Sequence, residues 1–349
     1  MERPPVNPRP QAVFAALFAP PHRRAKLAFA ALCALALIHG AHFFARRIPA
    51  VLEDMRLQAM PAARVGLETA ALPAPARLGP FVVLRRIALS APDPRFGGVS
   101  GIAWQGSRLV GVSDRGFFLR FAPDLGSVTI TPLRDTSGRA MRMGENDSED
   151  VALMSDGRLA VSFEGDHRVW LYQPDPFEAP RAAPGPARAA QMRALRGNGG
   201  MEALCATPEG ALFSGEEGPF VGQGPHRIWR AGPGADAWSA AFGLTAKPGW
   251  GLTACAVLSG GELLTLHRFW RPGAPFQAEV GLVRAPLGPA ERKPELLAAL
   301  GARADIGNLE GIAQRKEPDG ALTLWLVSDN NYGERLTELW ELRLPAGAL

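Results

Sequence analysis

The 349-residue chain is short of lysine and of cysteine. It has four lysines (Lys26, Lys247, Lys293, Lys316) beside 34 arginines, and three cysteines in all. No CxxC pair and no Cys/His ligand spacing occurs, which excludes the common structural zinc modules. A Gly-x-Ser-x-Gly elbow, a P-loop and a His-Glu-x-x-His helix are also missing. Ser100 and Ser162 have no evident His/Asp relay, so serine-nucleophile chemistry has little support. The net charge of +4 belongs to one end. Residues 1–47 hold seven cations and one anion, which leaves residues 48–349 at about −2. With no basic stripe in the body, nucleic acid is not an expected partner.

What is present points to short strands and turns. Gly (39) and Pro (32) make about a fifth of the chain, and apolar residues 47%, enough for a sizeable core. Residues 27–45, LAFAALCALALIHGAHFFA, carry no formal charge. As a helix they would span roughly 28 Å, close to a bilayer core. The cation excess before them favours an N-in, C-out orientation. The expectation is one N-terminal transmembrane helix that holds the rest of the chain in the periplasm, on the outer side of a bacterial inner membrane. A cleaved signal, giving a secreted protein, competes. It fits less well, because Phe43 stands at −3 from Ala45 and a cut near Ala34 or Ala36 leaves a short apolar region. The expected organisation is a basic cytoplasmic tail (1–26), the anchor or signal (27–45), a linker (46–79) with a short amphipathic helix near Val51 to Met60, and a domain at 80–349.

That domain is repetitive. Five segments align on the column Ser100, Glu149, Glu202, Thr253 and Glu310, spaced by 49, 53, 51 and 57 residues. Each is followed by a turn and a second strand (RLVGVSD, RLAVSFEGD, ALFSGEEG, ELLTLHR, LTLWLVSDN). A third often follows, as in FFLRF, HRVWLY, HRIWRA and TELWELRL. Multi-strand repeats of this length predict an all-β fold, a β-propeller. Five blades are counted; six would follow if residues 174–196 or 284–305 held another. The fifth repeat lacks a fourth strand, which Phe81–Leu89 is expected to supply, closing the ring. The Pro-rich run Pro174 to Pro186 is expected to be a rim loop. Trp104, Trp170, Trp229, Trp325 and Trp340 are expected in inter-blade packing, with Trp250 and Trp270 near the mouth. Cys205 and Cys255 fall in successive repeats. Their spacing permits one disulfide, although two buried thiols are the preferred reading.

In a propeller, the start of each first strand and the end of each second share one rim of the channel. The first column then offers Glu149, Asp150, Glu202 and Glu310. The second offers Asp114-Arg115, Glu164 with Asp166-His167, Glu216-Glu217, His267-Arg268 and Asp329-Asn330-Asn331. Such an oxygen-rich ring suits Ca²⁺. The candidate metal ligands are Glu149, Glu202, Glu310, Asp114 and Asp329. Arg115 and Arg268 are candidates to clamp an anionic small-molecule ester, and His267 or His167 to move protons. Asp, Asn and Gly are also ordinary turn residues. The argument therefore rests on their recurrence in the same columns.

The strings GGVSGIAW with LVGVSDRG, SEDVALMSDGRLAVSFEGDHRVW, GGMEALCATPEGALFSGEEG, GLTACAVLSGGELLTLHRFW, and NLEGIA with LWLVSDNNYG together resemble the bacterial phytase-like family, also described as esterase-like activity of phytase. The resemblance covers roughly residues 81–345. It implies a β-propeller and, more loosely, ester or phosphoester hydrolysis, and it brings no defined catalytic set. A calcium-dependent hydrolase of phosphoesters or esters is the first expectation. A non-catalytic binding or assembly propeller and a lactonase-type sugar-acid hydrolase are the alternatives. The sequence names no protein partner.

Overall fold

Apolar residues alternate with polar ones along short strands, and the faces they create are buried by stacking sheet on sheet around an axis. The computed structural model describes residues 48–349 except 179, 193–198, 219–223, 246, 302–305 and 334. The expected membrane segment at 27–45 lies outside the described residues. Among the described residues no helix is long and apolar enough to cross a membrane. The chain divides into Met1–Glu53 and Asp54–Leu349. Residues 48–53 of the first unit are helical, and in the second unit residues 54–59 are helical.

The second unit is a five-bladed propeller. The first blade contains β5 (Val99–Gln105), β6 (Arg108–Ser113), β7 (Phe117–Phe121) and β8 (Ser127–Pro132). The second contains β9 (Ser148–Leu153), β10 (Leu159–Phe163), β11 (Arg168–Tyr172) and β12 (Ala182–Pro184). The third contains β13 (Met201–Ala206), β14 (Leu212–Glu216), β15 (His226–Ala231) and β16 (Ser239–Leu244). The fourth contains β17 (Trp250–Val257), β18 (Leu263–Phe269), β19 (Gln277–Val283) and β20 (Glu295–Leu300). The fifth contains β21 (Asn308–Lys316), β22 (Leu322–Asp329) and β23 (Thr337–Leu344), completed by β4 (Phe81–Ser90) from the start of the domain. Each inner strand touches the next, β5 to β9 to β13 to β17 to β21 and back to β5, so the ring closes.

Closure is non-covalent, as the sequence predicts. β4 pairs antiparallel with β23 from Thr337↔Leu89 to Arg343↔Val82. A buried ion pair reinforces it: Arg86 Nε and Nη2 donate to Glu338 Oε2 and Oε1 at 3.0 and 2.9 Å. Within the stretch read as a linker, β1 (Ala63–Gly66) adds to β8 at the outer edge of the first blade, and β2 (Glu68–Ala71) and β3 (Arg77–Leu78) pair with β4.

The core is five inter-blade layers, not one central mass. Val110, Val112 and Phe118 of the first blade meet Val151, Val161 and Phe163 of the second. Leu264, Leu266 and Leu282 of the fourth meet Leu309, Leu324 and Leu326 of the fifth. Each large aliphatic or aromatic residue so buried contributes about 1.5–3 kcal/mol. Trp104 and Trp325 pack edge to face between the first and fifth blades, centroids 4.6 Å apart, with Arg315 over both rings. Two expectations are corrected. The Pro174–Pro186 run holds β12, the fourth strand of its blade, because an outermost strand tolerates prolines that an inner strand would not. Cys205 and Cys255 are joined in a disulfide, because adjacent inner strands bring their Cα atoms to 5.5 Å.

Candidate functional site

The aligned column is a set of β-bulges. In every blade the pairing of the inner strand with the second strand slips by one residue at the column position. Ser100 is the extra residue between Val99↔Ser113 and Gly101↔Val112. Glu202 lies between Met201↔Glu216 and Ala203↔Gly215, and Thr253 between Leu252↔His267 and Ala254↔Leu266. Glu310 lies between Leu309↔Ser328 and Gly311↔Val327. In the second blade Glu149 and Asp150 both fall between Ser148↔Phe163 and Val151↔Val161. A bulge re-aims the side chain it carries. Five of them at one level turn strand positions towards a common mouth.

Carboxyl groups from four blades meet there. Glu149 is repelled by Glu202, Asp147, Glu164 and Glu310. Glu202 is repelled by Glu217, Glu164 and Glu310, and Glu310 by Asp329, Glu217 and Asp114. Glu149, Glu202 and Glu310 therefore share one face. The fourth blade contributes a cation. Arg268 Nη1 donates to Glu310 Oε1 and Asn308 Oδ1, both at 2.6 Å, and Nη2 donates to Glu217 Oε1. Asn308 Nδ2 also donates to Glu310 Oε1, at 2.6 Å.

Burial is the main force on these groups. It pushes Glu149, Glu202 and Glu310 well above the usual carboxylate range, and their mutual repulsion adds to it. Asp114 is raised well above its usual value by burial, then by Asp329 and Asp147. Asp147 and Asp329 rise for the same first reason, and hydrogen bonds to Glu149 and Glu310 respectively work in the opposite direction. Glu164 reaches about 7 through burial, although Gly199 N–H donates to its Oε1 at 2.7 Å. For Arg268 burial opposes the charge, but Glu310, Glu217 and Glu202 together hold it protonated above the ordinary arginine range.

Three of the acids are close enough to share an ion. Oxygens of Asp147, Glu149 and Glu164 lie within 4.8 Å of one another. Ca²⁺ bonds oxygen near 2.4 Å, so ligand oxygens up to twice that distance apart can share one ion. Asp114 Oδ1 is buried without a hydrogen-bond partner, another oxygen suited to a cation. Arg115 stands at the rim with its guanidinium 3.8 Å from the Tyr332 ring centroid, and its backbone carbonyl accepts from Asn146 Nδ2 at 3.1 Å and from Gln58 Nε2 at 2.5 Å.

Other predicted residues lie elsewhere. His267 follows the strand alternation to the face opposite Arg268, where its charged neighbours are His226 and Lys247. Burial first, then those two, push it down to about 3. His167 has Arg188 and Asp166 as charged neighbours and is likewise lowered, mainly by burial. Its ring packs so tightly on Gly200 that a Cβ there would collide with it. His267 is thus separated from the acidic group by its own sheet, whereas His167 lies against Gly200, next to the Gly199 N–H that holds Glu164. Asp150 binds the backbone: Val151 N–H donates to its Oδ1 at 2.8 Å and Leu204 N–H, in the next blade, to its Oδ2 at 2.9 Å. Ser100 Oγ donates to Ser148 O at 2.6 Å, again joining two blades. Glu216 is taken by Arg227 and Trp229 Nε1 at 2.9 and 3.0 Å. Trp250 lines a side cavity, and Trp270 is exposed.

Sequence reasoning missed Asp147 and Asn308. Each lies two residues before its column position, outside the aligned window, and position −2 reads Gly98, Asp147, Gly200, Gly251 and Asn308. That polar or glycine pattern was the available signal. Glu164 and Glu217 were aligned but were not separated from Asp166 and Glu216.

A family model described as phytase-like, esterase-like activity of phytase, matches residues 94–332. No curated protein matches the chain. Among solved structures, the chain is similar to a gluconolactonase from Xanthomonas campestris, with 14% identity and a TM-score of 0.42 over 82% of this chain and 99% of that one. It is also similar to a putative gluconolactonase, with 16% identity and a TM-score of 0.43 over 81% and 92%. A calcium-binding protein, regucalcin, from Agrobacterium tumefaciens gives 13% identity and a TM-score of 0.40 over 75% and 83%. Likenesses this distant do not bear on what the chain binds or does.

Proposed function

The chain belongs to the phytase-like family, and from that premise we propose that its acidic mouth binds a divalent cation, Ca²⁺ by donor chemistry, and hydrolyses an anionic ester or phosphoester. The observation that carries this reading is the approach of Asp147, Glu149 and Glu164 oxygens to within 4.8 Å of one another, in a ring of buried carboxyls that resist ionising alone. These three would hold the ion, with Asp114, Glu202, Glu310 and Asp329 supplying charge around it. When bound, such an ion polarises the ester oxygen and lowers the pKa of a bound water.

The chain's own residues divide the remaining work. Arg268 is neutralised by Glu217 and Glu310, so it positions the carboxylates of its neighbours. Arg115, held over Tyr332 and half-exposed, is the cation that can reach an incoming anion. Glu164 is fixed by the Gly199 backbone N–H, which aims its second oxygen at the group. The Cys205–Cys255 disulfide supports an oxidising compartment, in keeping with a periplasmic domain anchored by residues 27–45.

The test uses the full chain. Its melting temperature is followed in Ca²⁺ and in EDTA, and aryl phosphates, aryl esters and lactones are screened for turnover. A calcium-dependent rise together with turnover that Glu149→Gln abolishes supports the proposal. A calcium shift without turnover leaves a cation-binding propeller, and no shift at all removes the site.

A further inference from the structure

A cavity of about 520 Å³ opens on the flank of the fourth blade where the connection from the third enters it. It lies at the same end as the acidic mouth. Leu252, His267 and Glu279 stand in register across β17, β18 and β19, one row from Gly251, Arg268 and Ala278. Successive strand residues face opposite sides. The sheet of the fourth blade therefore separates the cavity from the face that carries Arg268.

Three features of its lining point to a ligand. The first is a lysine outside any ion pair. Lys247, Lys293, Glu279 and Glu295 all line the cavity. Lys247 pairs with Glu279, and Glu295 pairs with Arg284 at 3.3 Å. Lys293 has no ion pair among the described residues, so its ammonium is free to take an anion. Two of the chain's four lysines converge here although the chain otherwise uses arginine. The second is an unfilled polar atom. His267 is only 7% exposed, and its Nε2 has no hydrogen-bond partner. A buried polar group left unpaired costs about 1–3 kcal/mol, which a ligand hydroxyl would recover. Burial keeps the ring neutral, with one N–H and one lone pair to offer. The third is an apolar wall. Trp250 and Leu296 line the cavity, and Leu296 is 54% exposed. The Lys247 ammonium sits 5.3 Å from the Trp250 ring centroid.

We propose that this cavity binds a small organic acid with a flat apolar body, its carboxylate at Lys293, its body against Trp250 and a hydroxyl at His267. The site is independent of the cation chemistry of the mouth.

Isothermal titration of the full chain, in calcium and again in EDTA, tests it with three probes: 4-hydroxyphenylacetate, phenylacetate and tyramine. The hydroxy acid is expected to bind best in both buffers, and tyramine, which exchanges carboxylate for ammonium, at least about tenfold more weakly. Lys293→Met, at an exposed position, should weaken the hydroxy acid about tenfold without moving the melting temperature. His267→Phe should abolish the advantage of the hydroxy acid over phenylacetate. Absence of saturable binding at millimolar probe, equal binding of acid and amine, or an unaffected Lys293→Met protein would overturn the proposal. Because binding is read in EDTA as well, loss of the cation site leaves this result intact.

Discussion

Arg268 and Glu310 lie 42 residues apart on neighbouring blades, and a 2.6 Å charge-assisted hydrogen bond joins them at the mouth of the ring. The same guanidinium holds Glu217 of the third blade. One cation thus ties three consecutive blades together at the point where their acids would otherwise repel.

Removing that cation should be costly. Arg268→Met leaves Glu217 and Glu310 buried without their counter-charge, and about 3–5 kcal/mol of stability is expected to be lost at pH 8. At pH 5 the loss should shrink, because the Glu310 carboxyl, raised by burial, protonates and removes its share of the uncompensated charge. Urea denaturation at the two pH values measures both quantities.

The acidic mouth sets a pH dependence with a definite sign. Glu149, Glu202, Glu310 and Glu164 have folded values above their unfolded ones, Glu164 at about 7. Below the unfolded values, near 4.3, both states are protonated and burial carries no charge penalty. As pH rises, the unfolded state ionises first, so the folded state loses ground through the window up to the folded values. In EDTA the melting temperature should therefore fall between pH 5 and pH 8. A calcium ion held there would need the ionised carboxylates, so its stabilising effect should be larger at pH 8 than at pH 5. A calorimetric scan of the four combinations decides it.

Glu149→Gln should separate repulsion from ligation. Without calcium the variant is expected to be at least as stable as the parent, because a buried like charge is gone. With calcium the parent should overtake it. A variant destabilised equally in both buffers would mean that Glu149 serves packing alone.

Arg115→Ala should spare the fold and reduce recognition of anionic esters. The partly buried cation–π contact with Tyr332 is worth about 1–2 kcal/mol. KM for an aryl phosphate is expected to rise, while KM for a neutral aryl ester should change little. Steady-state kinetics on the two substrates gives the comparison.

The disulfide joins the third and fourth blades across 50 residues of sequence. Cys205→Ser with Cys255→Ser should lower stability by about 2–4 kcal/mol. Mass spectrometry after alkylation, with and without reductant, should find the two thiols protected in the purified chain.

Much of the architecture was legible in the sequence. The column at Ser100, Glu149, Glu202, Thr253 and Glu310 recurred because each blade repeats the same bulge, and a bulge is a local event. The closing strand was legible because Phe81–Leu89 is an apolar run with no other partner in its own repeat. The β12 strand was not, because an outermost strand of three residues needs little periodicity and here carries a proline. Within the site, Glu149, Glu202, Glu310, Asp114 and Asp329 were found by alignment. Asp147 was passed over because its contribution depends on where the turn before β9 sends its carboxylate.

The amino-acid pattern alone determined that repeats of alternating residues would stack as blades, and that acids would recur at one level, since both follow from short-range periodicity. Only the tertiary structure decided which acids come within 4.8 Å of one another, that Arg268 is already neutralised, and that His267 faces a separate cavity. Those outcomes depend on distances between residues far apart in the chain and on which side of a sheet each side chain leaves, and no local pattern encodes either one.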